Sequence, residues 1–149
     1  MKTVLAPIDF SGASDAVVAE AAALANALPG RVVLLTVIQP PVITSEYAPM
    51  MENLSEIVAA GERAAAKQLG RLEERLKAQA IPTETVQVSG APVAHIVEQA
   101  QKLGADYIVM GSHGHTAIYD LLVGSTTHGV LMRAKCPVVI VPPKKAKAA

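Results

Sequence analysis

Aromatic and thiol chemistry is nearly missing from this chain. Its 149 residues include no Trp, one Phe, three Tyr and one Cys. With so few rings to stack on bases, the composition argues against a platform for single-stranded nucleic acid. The single cysteine, Cys136, excludes an internal disulfide and any multi-cysteine metal centre, and it fits a reducing compartment. Charge of one sign is not in excess either. Thirteen Lys and Arg balance thirteen Asp and Glu, so there is no broad basic surface for nucleic acid. No apolar run reaches the length of a membrane-spanning helix. The opening Met1-Lys2-Thr3-Val4-Leu5 carries one basic residue, and Asp9 interrupts the apolar run. It reads as a strand rather than a secretory leader, and the expected location is cytoplasmic.

What is present is aliphatic: Ala, Val, Leu and Ile dominate a composition that is 51% hydrophobic. The length suits one domain. Val4–Ile8, Arg31–Ile38, Ile81–Val88, Tyr107–Met110 and Val138–Val141 read as short strands. The run Val32–Leu35 is apolar on both faces, as in a buried parallel sheet. Between the strands lie helical stripes. The first is Val17, Ala21, Leu24 and Leu28, with Ser11 as candidate N-cap and Pro29-Gly30 as stop. A long helix over Ser55–Ala80 carries Val58, Ala65, Leu69, Leu72 and Leu76. A third opens on Pro92 and closes on Gly104, and a fourth falls within Leu121–Arg133. Gln39–Asn53 reads as a long connection. The alternation predicts an α/β fold, a parallel sheet with helices on both faces, over residues 1–143. The basic tail 144–149 is expected to be disordered. In such sheets ligands bind beyond the carboxyl ends of the strands, where the strand order reverses.

One segment after the fourth strand stands out. It reads Gly111-Ser112-His113-Gly114 and, nine residues on, Gly124-Ser125-Thr126-Thr127, a Gly-x2-Gly-x9-Gly-Ser spacing. Glycines permit positive φ and close approach of a ligand. A helix N-terminus offers unpaired N–H groups and partial positive charge to a phosphate. The same residues are also compatible with plain turns and with Ser125 as an ordinary N-cap. Neither Gly-x4-Gly-Lys-Ser/Thr nor Gly-x-Gly-x-x-Gly occurs, which excludes a P-loop and argues against a dinucleotide Rossmann site.

The glycine spacing, the opening Val4-Leu5-Ala6-Pro7-Ile8-Asp9 and the closing Cys136-Pro137-Val138-Val139-Ile140-Val141-Pro142 resemble the universal stress protein family over essentially the whole chain. The resemblance implies a single-domain, five-stranded parallel sheet of order 3-2-1-4-5, the adenine nucleotide alpha hydrolase-like fold. It also implies an ATP site, with ADP or AMP as related ligands and Mg²⁺ accompanying the triphosphate. Pro7, Ile8 and Asp9 would face the adenosine, and Val37 would meet the adenine through its backbone. Met110, Gly111, His113 and Gly114 would line the ribose and phosphate path, and Gly124, Ser125 and Thr126 would hold the phosphates. Homodimers are common in the family, and Val138–Val141 is the expected contact strand.

Other residues carry plainer readings. Asp9 is either a ligand to adenine or ribose or a cap for the helix that follows. His113 and His115 have no spacing for zinc and no supporting cluster. His95 and His128 read as helix-surface side chains, and Cys136 as structural. Gly129 should weaken its helix by about 1 kcal/mol relative to Ala. Lys144, Lys145 and Lys147 are weak evidence for an anionic partner. The expected function is a nucleotide-dependent stress regulator acting on a protein partner. No catalytic residue is assigned, since no general base with a substrate pose is visible. A slow ATP hydrolase and a module that binds no nucleotide are the alternatives.

Overall fold

A computed structural model describes residues 1–40, 51–113 and 123–143, with the side chains of Met51 and Glu52 left aside. The strands are β1 (Lys2–Pro7), β2 (Gly30–Ile38), β3 (Thr83–Ser89), β4 (Tyr107–Gly111) and β5 (Val138–Val141). They alternate with α1 (Ser14–Ala27), α2 (Met51–Ala78), α3 (Pro92–Leu103) and α4 (Ser125–Arg133). All strand pairs are parallel, in the order β3-β2-β1-β4-β5. The order runs one way from β1 to β3 and the other way from β1 to β5, so it reverses between β1 and β4.

Strand alternation divides the core into two layers. Val4, Ala6, Val32, Leu34 and Val109 face α1 and α2, where they meet Val17, Val18, Ala21, Leu69, Leu72 and Leu76. Leu5, Val33, Leu35, Ile108 and Met110 face α3 and α4, against Ile96, Ala100 and Val130. Both sides of β1 and β2 are therefore dry, as their continuous apolar runs require.

Helix ends follow local chemistry with several departures from expectation. Pro92 opens α3, and Gly104 closes it in the left-handed conformation (φ 60°, ψ 42°). Ser11 does not cap α1. The N-cap is Ala13, whose carbonyl takes the first helical bond from the Val17 N–H at 3.1 Å. Ser11 instead accepts the Ala13 N–H on its own hydroxyl at 3.4 Å, in a turn before the helix. The long helix begins at Met51 rather than Ser55, because Met-Glu-Asn-Leu contains no helix breaker. Within the predicted 39–53 connection, residues 41–50 lie outside the described residues, as does the predicted tail 144–149.

Gly129 is not a weak point in α4. A Cβ there would stand 2.7 Å from Val93 Cγ2, so the glycine lets α4 approach α3. Close packing outweighs the lost helix propensity.

Candidate functional site

The reversal between β1 and β4 opens a cleft at the carboxyl ends of the strands, the position expected for a ligand in this class of sheet. Each wall is fixed by the strand that feeds it. β1 ends at Pro7, and Ile8 is then held at both backbone groups. Its N–H donates to Leu35 O at 2.7 Å, and its carbonyl accepts the buried Thr36 hydroxyl at 2.8 Å. Phe10 follows in the left-handed region at φ 58°. That conformation is unfavourable for a bulky side chain, and it is held by packing Phe10 against the α1–α2 side of the core.

The turn so formed presents the Asp9 side chain at the rim. One Asp9 oxygen accepts the Ser11 N–H at 3.0 Å and lies 3.5 Å from the Ser14 hydroxyl. Asp9 thus organises the entry to α1 and borders the cleft at the same time. Asp9 therefore does not cap α1, whose N-cap Ala13 has no side-chain cap bond, but braces the turn that precedes it.

On the opposite side, β4 runs out at Gly111. A Cβ on Gly111 would lie 3.3 Å from Ala13 Cβ and 3.3 Å from His113 O, so the strand end and the start of α1 sit close together here. The chain re-enters at Gly124, and two bonds close the base of the intervening loop. Gly124 N–H donates to Ser112 O at 2.6 Å, and the buried Thr127 hydroxyl donates to Gly111 O at 2.8 Å. Ser112 is itself tied to β5 through Val141 O at 2.9 Å. His113 Nδ1 lies 3.0 Å from Ser112 Oγ.

These bonds aim the start of α4 into the cleft. Gly124 is the N-cap, and Ser125 is the first helical residue rather than the cap. The first intrahelical bond is His128 N–H to Gly124 O at 2.9 Å. The N–H groups of Ser125, Thr126 and Thr127 therefore have no acceptor within the helix. Gly124 has φ −69° and ψ 166°, extended backbone open to any residue. Positive φ is found in neither Gly111 nor Gly124. The argument for glycine at 111 is close approach alone.

Pro7, Ile8, Asp9, Val37, Met110, Gly111, His113, Gly124, Ser125 and Thr126 all border this one cleft. Gly114 lies outside the described residues. Gln39, just past β2, and Leu35, Pro92 and Ile96, not singled out as site residues from the sequence, complete the lining. Leu35 and Gln39 share a face with Val37 by strand alternation, a signal that was readable. Pro92 and Ile96 arrive from α3, and no motif marks them. Among the described residues, no group of three or more His, Cys, Asp or Glu side chains is placed to hold a metal ion. None of the described helices is long and apolar enough to cross a membrane.

Fold and cleft together define a doubly wound α/β domain with a cleft at its topological switch point. The chain belongs to the universal stress protein family, whose sequence profile matches residues 1–142. Universal stress protein A homolog 1 of Coxiella burnetii is 33% identical over 144 residues, covering 94% of this chain and 95% of the relative. Among solved structures, MJ0577, a universal stress protein of Methanocaldococcus jannaschii, superposes with a TM-score of 0.83 at 28% identity, covering 97% of this chain and 98% of the other. A universal stress protein in complex with cAMP superposes with a TM-score of 0.66 at 30% identity, covering 96% of this chain and 98% of the other. The chain has the nucleotide alpha hydrolase-like fold of these neighbours, its single five-stranded sheet ordered β3-β2-β1-β4-β5.

Proposed function

We propose that this protein is an adenine-nucleotide-binding regulator of the stress response, active as a homodimer in the cytoplasm, whose cleft binds ATP or its lower phosphates. The observation that carries the reading is convergence. Residues from β1, β2, β4 and the start of α4, separated by more than a hundred positions in sequence, border a single cleft with a helix N-terminus aimed into it. A related protein of 30% identity is a complex with an adenine nucleotide, cAMP.

The chemistry of the lining fits such a ligand. Pro7, Leu35, Val37, Ile96 and Met110 offer an apolar slot for the base. Asp9 accepts from ribose hydroxyls or the adenine edge. The α4 N–H groups and the Ser125 and Thr126 hydroxyls hold phosphate oxygens. Mg²⁺ would accompany the triphosphate, keeping several waters and taking a hydroxyl oxygen where one is offered.

Dimerisation through β5 rests on its edge position. Ile108 N–H donates to Pro137 O and Ser112 N–H to Val141 O. By alternation the backbone groups of Val138 and Ile140 point to the open edge. Val138, Val139 and Ile140 are only half-buried.

Calorimetric titration with ATP, ADP and AMP tests the reading. Saturable binding with one site per chain is expected. No heat at millimolar nucleotide, with the fold verified by circular dichroism, overturns it.

A further inference from the structure

Among the described residues, the cleft is built without a lysine or arginine side chain. The described lysines and arginines lie elsewhere: Lys2 and Arg31 at the opposite end of the sheet, five along α2, Lys102 at the end of α3, Arg133 at the end of α4 and Lys135 just past it. Segments 41–50 and 114–122 contain no Lys or Arg in sequence. The ionisable lining residues are Asp9 and His113. Sites that grip polyphosphates ordinarily set guanidinium or ammonium groups against the charge. Here the positive pole is the start of α4, equivalent to roughly half an elementary charge. At the other end stands the exposed Asp9 carboxylate.

Resting on the reading that the cleft takes an adenine nucleotide, we infer that it selects the nucleoside and barely reads the phosphate chain. AMP, ADP and ATP compete on nearly equal terms, and binding is insensitive to salt. Among the described residues, the N–H donors at this end of the cleft are those of one helix start, enough for one phosphoryl group. A second and third phosphate gain no lysine or arginine partner from the described lining. The apolar slot, common to all three nucleotides, contributes most of the affinity.

The test is competition among AMP, ADP and ATP on the full chain, with divalent cations chelated, at mildly alkaline pH and at low and high salt. A triple variant, Lys144→Ala with Lys145→Ala and Lys147→Ala, is run in parallel, because those three lysines lie outside the described residues. Dissociation constants within about three-fold of one another, in both proteins and at both salt levels, are expected for binding carried by neutral donors. ATP binding about ten-fold or more tighter than AMP, or weakening about ten-fold at high salt, overturns the inference. Such a preference that vanishes in the triple variant also overturns it, and assigns the cations to the tail. Absence of binding by all three nucleotides defeats the proposed function as well. Binding with strong charge discrimination defeats only the present inference.

Discussion

Asp106 and Thr3 are joined twice: the Asp106 N–H donates to Thr3 O, and the Asp106 carboxylate accepts the Thr3 N–H, each at 2.8 Å. That N–H holds the carboxyl below its ordinary value of 3.8; burial opposes it, and the nearby Lys2 charge adds to the lowering. A depressed folded-state value stabilises the fold fully above the ordinary carboxylate range, and the contribution is lost as pH falls through the lowered value. Asp106→Asn should therefore flatten the acid limb of stability. Urea midpoints compared at neutral pH and at about pH 3 should show a smaller drop for the variant than for the parent. Ala80 gives a second residue-scale expectation. It ends α2 at φ 62°, with Ala80 N–H on Lys77 O and Ile81 N–H on Leu76 O. This is the same double-bonded helix end that Gly104 completes for α3. Ala80→Gly should raise stability by about 0.5–1 kcal/mol, the left-handed strain relieved less the entropy of a freer unfolded chain. Chemical denaturation measures it. Burial raises the Cys136 thiol, aided by the Asp106 charge, so slow labelling by thiol reagents at neutral pH is expected.

Elements show which signals survive translation from sequence to structure. Strands β1, β2 and β4 were legible because both-face burial writes itself as unbroken aliphatic runs, and β5, half-buried at the edge, carries the same kind of run. Pro92 and Gly104 bounded α3 because each residue is bound to its backbone geometry. The starts of α1 and α2 were less legible. Ser11 is a good cap by type, but Asp9 and the left-handed Phe10 delay helical geometry to Ser14. The cleft was legible where strand ends carry it, at Pro7–Asp9, Val37 and Met110–Gly111. Its α3 wall was not, since Pro92 and Ile96 enter only through the crossing of helix over sheet. Gly129 misled for the same reason: its neighbour Val93 lies on another helix. Gly129→Ala should destabilise by about 1–2 kcal/mol despite its better helix propensity, through overpacking. Adding Val93→Ala should recover part of that loss, as a double-mutant cycle by thermal or urea unfolding will measure.

At the scale of the whole molecule, β5 leaves one edge of the sheet open. Ile140→Pro removes a backbone N–H that points outward while leaving the bonds to β4 in place. It should convert the proposed dimer to a monomer in sedimentation equilibrium while the monomer keeps its circular dichroism spectrum. An unchanged mass would locate the interface elsewhere. The central strand has a different consequence. β1 pairs with β2 across about thirty residues but with β4 across about a hundred, Val4 meeting Tyr107. On the ribosome, β1, β2 and β3 can assemble while the partner for the other side of β1 is still being translated. That side of the central strand then stands exposed for about one to four seconds at ordinary elongation rates of roughly 5–20 residues per second. The Asp106–Thr3 clamp lies just ahead of β4 and is the first contact the arriving strand can make. The slow event in the life of this chain is thus the wait for its second half, and the clamp fixes the register in which that wait ends.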